Sequence, residues 1–126
     1  AFRPFAPSVV VEAAEEYFDL PNAASNYPAR YMLLVVDVKP EMRHLLPAVT
    51  HVDGSARPQT VHRETNPLYH ELIRRFGERT GVPVVLNTSF NLKGEPIVNT
   101  PEEALSTFQR SEMDVLVLGR HIVEKG

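Results

Sequence analysis

At 126 residues the chain has the length of one domain, and its 43% hydrophobic and 23% charged content suits a packed globular fold. A formal charge of -3 gives no global basic field for nucleic acid or an anionic membrane, and the absence of cysteine excludes disulfides and thiolate metal sites. No apolar run approaches the roughly 18 residues a membrane span needs. No basic-then-apolar leader opens the chain, which predicts a cytoplasmic protein without a signal peptide. The first residue is not Met, so we expect one domain, residues 1–126, of a longer polypeptide.

In chain order, Pro4 and Pro7 hold an extended arm that carries Arg3 between Phe2 and Phe5. Two readings of Arg3 stand: its stem covers the aromatic pair, or its guanidinium meets an anion. Ser8 reads as an N-cap, with Val11, Ala14 and Phe18 at near-helical spacing and Pro21 as the stop. Residues 22–30 are polar and read as a loop. Residues 31–38, YMLLVVDV, form a continuous apolar run that predicts a strand buried on both faces, ended by Pro40. A weak helical signal at 41–46 stops at Pro47. Residues 48–63 predict two short strands around an Asp53-Gly54 turn, with Pro58 interrupting.

The spacing of Leu68, Leu72 and Phe76, widened by Ile73, predicts a helix over 67–80 with Gly81 as its C-terminal stop. The stretch VPVVLN at 82–87 is the next strand. Thr100, Pro101 and Glu103 make a capping box that opens a helix with Ala104, Leu105 and Phe108 on its apolar stripe. The stretch MDVLVLG at 113–119 reads as a final buried strand, with a short antiparallel partner after Gly119-Arg120. Strands alternating with helices predict an α/β (α+β) class, a sheet with helices packed on it.

Besides Arg3, two constellations bear on chemistry. Asn87, Ser89 and Asn91 alternate at the end of an apolar strand, so they share one face if the strand conformation continues. A small polar row there either meets a ligand, as strand termini of α/β folds do, or hydrogen-bonds the turn into Gly94. His51, Asp53, Arg57, Gln59, His62 and Arg63 are dense in polar groups, and Arg57 offers a planar fork to phosphate or carboxylate. His51 and Asp53 at i, i+2 lack a third partner at metal-ligand spacing, so no metal site is expected. Phosphate-binding, dinucleotide and nucleophile-elbow glycine motifs do not occur.

Three stretches now stand in order: FRPFAPSV at 2–9, HVDGSARPQTV at 51–61 and LNTSFNLKGEPIVNTPEEAL at 86–105, followed by DVLVLG at 114–119. Together they make the chain similar to the C-terminal domain of the bacterial O-carbamoyltransferases, which include nodulation-factor and antibiotic-tailoring enzymes. The resemblance implies a YrdC-like fold, a twisted and largely buried mixed sheet with helices packed on it and a concave ligand face. It implies binding of ATP and carbamoyl phosphate, with Mg accompanying the ATP, and formation of carbamoyladenylate.

An N-terminal module of the same chain, resembling the tRNA threonylcarbamoyl-transferase fold and carrying a histidine-bound metal, would then pass the carbamoyl group to a small-molecule hydroxyl. Carried over by motif, Arg3, Arg57, Asn87, Ser89 and Asn91 are the ligand-binding residues, and none is assigned a catalytic role. The family's upstream Lys falls before Ala1. The alternative is a non-catalytic YrdC-like module that binds nucleotide or RNA, and the net charge of -3 counts against RNA. A third reading is a scaffold whose loops only complete the partner module's pocket.

Overall fold

The computed structural model describes residues 5–125. Along them run β1 (Ala6–Val10), α1 (Ala14–Tyr17), β2 (Val36–Asp37), β3 (Ser55–Ala56), β4 (Gln59–Val61), α2 (Pro67–Thr80), β5 (Val84–Asn87), α3 (Pro101–Arg110), β6 (Val115–Leu118) and β7 (His121–Glu124). Short 3-10 turns fill many of the connections. The class is α+β, as expected, and the chain packs as two compact units, Ala1–Thr88 and Ser89–Gly126.

In the first unit the sheet order is β4-β1-β5, with β1 parallel to β4 and antiparallel to β5. The pleat sends alternate residues to opposite faces. Val9 and Val84, directly paired, enter the larger core with Phe18, Val38, Leu46 and Val49. Val10 and Val61, also paired, face the other way onto Ile73 of α2, with Val85 packed beside them. Both faces of this small mixed sheet are therefore covered.

Three sequence expectations need correction in this unit. Ser8 is no N-cap: it lies fully buried inside β1, because the β-branched run Val9–Val11 outweighs the helical spacing, and only α1 after it is α-helical. The run at 31–38 is not buried on both faces. Leu34, Val36 and Val38 turn inward while Leu33 and Val35 stay exposed, and pairing is confined to the end of the run, Val36–Asp37 with β3 and Val38 with Phe18 in an antiparallel bridge. The two strands at 55–61 do not flank the Asp53-Gly54 turn. They flank Arg57-Pro58 and join different sheets, since Pro58 has no N–H for a ladder. The weak helical signal at 41–46 is a 3-10 segment, Pro40–Leu45, that does end before Pro47, and Pro47 then begins a further 3-10 turn.

Helix α2 matches its predicted bounds. The Asn66 side chain accepts from the Tyr69 N–H at 3.3 Å, and Gly81 closes it at φ +84°. Its buried residues are His70 and Ile73, however, and the predicted stripe points outward: Leu68 is 75% exposed, Leu72 61% and Phe76 42%.

The second unit packs α3 on the antiparallel β6–β7 hairpin. Ala104, Phe108 and Leu116 form its core, with Leu105, Phe90 and Val98 against them. Thr100 caps α3 by accepting from the Glu103 N–H at 3.1 Å, as the capping box predicts.

Candidate functional site

Strand β5 ends at Asn87, so the strand alternation that would align Asn87, Ser89 and Asn91 is not continued. Asn87 is half-buried. Its Nδ2 donates to Gln59 Oε1 at 2.7 Å and approaches Met32 Sδ at 3.6 Å. Gln59 Oε1 also accepts from the buried Ser8 hydroxyl at 2.9 Å. Asn91 Nδ2 donates to the carbonyls of Leu92 at 3.1 Å and Glu95 at 3.2 Å, closing the turn through Gly94 at φ +84°. Ser89 is exposed, and its hydroxyl has no partner among the described residues. Two of the three side chains thus hold local structure with their donors, and Ser89 keeps its hydroxyl free.

Arg57 lies exposed between β3 and β4, two residues before Gln59, and makes no ion pair or hydrogen bond among the described residues. A fork that is charged at any physiological pH and held to nothing else can meet an incoming anion at little desolvation cost. Asp53, by contrast, is turn-bound: its Oδ1 accepts from the Ser55 hydroxyl at 2.6 Å and the Ser55 N–H at 3.0 Å, and these bonds hold its carboxyl below the usual range. Arg3 lies outside the described residues. Among those residues no three His, Cys, Asp or Glu side chains converge as a metal cage.

A recess of about 190 Å³ runs along the free edge of β4, lined in part by Arg30, Gln59, Thr60, His62 and Asn66. Thr60 Oγ1 and His62 Nε2 are buried there without a hydrogen-bond partner. Burial, and then the positive Arg30, push the His62 imidazolium pKa down, so the ring is neutral near pH 7. Arg30 itself sits over the Tyr27 ring at 5.7 Å. Sequence reasoning singled out Gln59 and His62 as part of a dense polar stretch but passed over Arg30. The flanking tyrosines, Tyr27 and Tyr31, were the signal that could have found it. Through Gln59 this recess is bonded to Asn87, so two stretches far apart in sequence are joined at one end of the sheet.

No helix among the described residues is long and apolar enough to cross a membrane. Over residues 1–125 the chain matches the family described as Carbamoyltransferase C-terminus. It is similar to nodulation protein NolNO of Sinorhizobium fredii, 50% identical over 98% of this chain and 18% of that protein. Nodulation protein NolO of Bradyrhizobium diazoefficiens is 46% identical over 99% of this chain and 22% of its own length. A 3'-hydroxymethylcephem-O-carbamoyltransferase of Amycolatopsis lactamdurans is 36% identical over 94% of this chain and 21% of its own length. The chain spans about a fifth of the length of these curated relatives. With the three motifs, the mixed α+β fold and this match in agreement, the chain belongs to the carbamoyltransferase C-terminus family.

Proposed function

We propose that this domain binds ATP and carbamoyl phosphate and forms carbamoyladenylate, from which the rest of the polypeptide transfers the carbamoyl group to a substrate hydroxyl. The new bond joins a carbamoyl oxygen to the α-phosphorus of ATP. Pyrophosphate leaves, and the phosphate of carbamoyl phosphate departs with one water consumed. The reading is supported by relatives that include an enzyme named for O-carbamoyl transfer to a hydroxymethyl group. It is carried by one observation on this chain: Arg57, inside the family motif, is an exposed guanidinium with no protein partner among the described residues.

Joining two anions requires that several phosphate charges be neutralised together, and Arg forks with small hydroxyl donors do this. In this reading Arg57 binds phosphate as a bidentate fork, Ser89 adds one neutral hydrogen bond, and Arg3 brings a second positive charge. Asn91 acts through the turn it closes and Asn87 through its bond to Gln59 on β4, each retaining a carboxamide oxygen as acceptor. Mg would arrive on the ATP phosphates, since the described residues include no acidic cage for it. The histidine-bound metal and the hydroxyl acceptor belong, in this reading, to the rest of the polypeptide.

Charged donors to phosphate are worth about 1.5–3 kcal/mol and neutral ones about 0.5–1.5 kcal/mol. Arg57→Ala should weaken ATP or carbamoyl phosphate binding by about ten- to a hundredfold, and Ser89→Ala by at most about tenfold. Arg57→Lys should not restore binding, because an ammonium keeps the charge and loses the fork. Calorimetry on the full-length protein reads all three. Wild-type affinity in Arg57→Ala, for both ligands, would put the site elsewhere.

A further inference from the structure

The first unit has an apolar groove of about 500 Å³, away from the polar recess. One wall is the stretch 45–49, the other is the run 84–86 of β5, and Phe76 and Thr80 of α2 lie between them. Three consecutive residues of one strand line it, although the pleat sends neighbours to opposite faces. The groove therefore follows the edge of β5, not either face. Among the described residues that edge carries no further strand: β5 is the last strand of the β4-β1-β5 sheet and pairs only with β1. Leu86 is 50% exposed there and Leu45 42%. The outward Phe76 is also the end of the Leu68–Leu72–Phe76 stripe on α2. An unpaired strand edge beside an apolar trough is a template for one more strand.

We propose that this groove seats an extended apolar segment from the remainder of the same polypeptide, which adds to β5 as a fourth strand and covers Leu45, Phe76 and Leu86. The occupant follows from length. The curated relatives are about five times longer than the matched stretch, so most of the protein beside which this domain works lies outside it. A three-stranded sheet with an apolar open edge is also short for a sheet of this class. The proposal rests on the family reading but not on any ligand.

The test is hydrogen exchange on the full-length protein, without ligands, for wild type, Leu86→Glu, Leu45→Glu and a control, Val52→Glu, whose side chain is fully exposed in the turn before Gly54. In wild type, the β5 amides that point away from β1 should exchange as slowly as those that point toward it. Leu86→Glu and Leu45→Glu should speed exchange of the outward set about tenfold or more and leave the inward set slow. Val52→Glu should match wild type. Light scattering should report the same mass for every variant.

Fast exchange of the outward amides in wild type would overturn the proposal, as would glutamate at 86 and 45 behaving like glutamate at 52. A wild-type dimer that Leu86→Glu converts to monomer would also overturn it, by giving the groove to a second copy. Should Leu86→Glu fail to fold, Leu86→Ser and the wild-type exchange pattern decide the same question. Arg57 variants read ligand affinity alone, so a failure of the ligand reading leaves this result standing.

Discussion

His62 sits among charges from several elements: Arg30 before it, Glu64 two residues on with Oε2 at 3.9 Å from Nδ1, and Glu12 and His70 across the sheet. Burial and Arg30 depress its pKa from the ordinary 6.5, against the opposing pull of the two glutamates. The unfolded chain therefore accepts a proton that the folded ring resists. The stabilisation is complete above the unfolded pKa and is lost as pH falls below it. Glu12 acts in the same sense further into acid. Burial raises its pKa, but the 2.7 Å bond to His70 Nε2 and the nearby imidazoles lower it more, so its contribution disappears as the carboxylate protonates. The melting temperature should fall as the pH drops below about 6.5. His62→Gln should flatten that slope, as scanning calorimetry at a series of pH values would show. An unchanged slope in the variant would assign the acid sensitivity to other groups.

Helix α2 approaches the chain that follows it so closely that one position admits no side chain. A Cβ at Gly77 would stand 2.6 Å from Pro83 Cβ and 3.0 Å from Pro83 Cα. Ala is the better helix former by about 1 kcal/mol, yet Gly77→Ala should destabilise by about 1–3 kcal/mol because helix and strand must separate. Denaturant melts with an unchanged slope would measure it. A stabilised variant would mean that the 77–83 corner gives way freely. In α3 the corresponding weak point is the cap, where Thr100→Ala should cost about 1 kcal/mol in the same assay.

These elements also show what could be read in advance. The bounds of α2 and the start of α3 were legible because Thr, Pro and Gly mark helix ends through local chemistry. The direction of the α2 stripe was not. Leu68, Leu72 and Phe76 have the spacing of a core face, but which face meets the sheet is decided by distant strands, and Ile73 took that place. Likewise 31–38 has the composition of a central strand, and only the absence of neighbours on one side leaves Leu33 and Val35 in water. Within the site, Arg57 stands exposed with no hydrogen bond or ion pair among the described residues. The engagement of Asn87 with Gln59 depends on a pairing of strands that no local pattern encodes.

Each of the two units has its own apolar core, one around Phe18 and Val38 and the other around Phe108, so neither depends on the other for a hydrophobic centre. Neither contains a converging set of metal ligands among the described residues. Because the curated relatives are about five times longer, we expect the purified 126-residue chain to carbamoylate no acceptor. A labelled-carbamoyl assay with ATP and carbamoyl phosphate checks this. Steady transfer by the chain alone would locate acceptor binding within these residues.

The Ser8–Gln59–Asn87 bonds have a consequence for how the sheet assembles. One carboxamide oxygen on β4 receives a hydroxyl from β1 and an amide from β5, so all three strands report to a single acceptor. A slip of one residue in β1 would bring Pro7 or Val9 opposite Gln59, and neither side chain has a proton to give. A slip of β5 that sets Leu86 where Asn87 stands would remove the other donor. Each misalignment removes one of the two donors to this half-buried oxygen, at a cost of about 0.5–1.5 kcal/mol. The valines on either side would tolerate such a slide far better, since one β-branched side chain substitutes for another. Gln59 therefore serves as a checksum on strand alignment, and the rung that joins the two candidate stretches is also what makes a misthreaded sheet detectable to the chain itself.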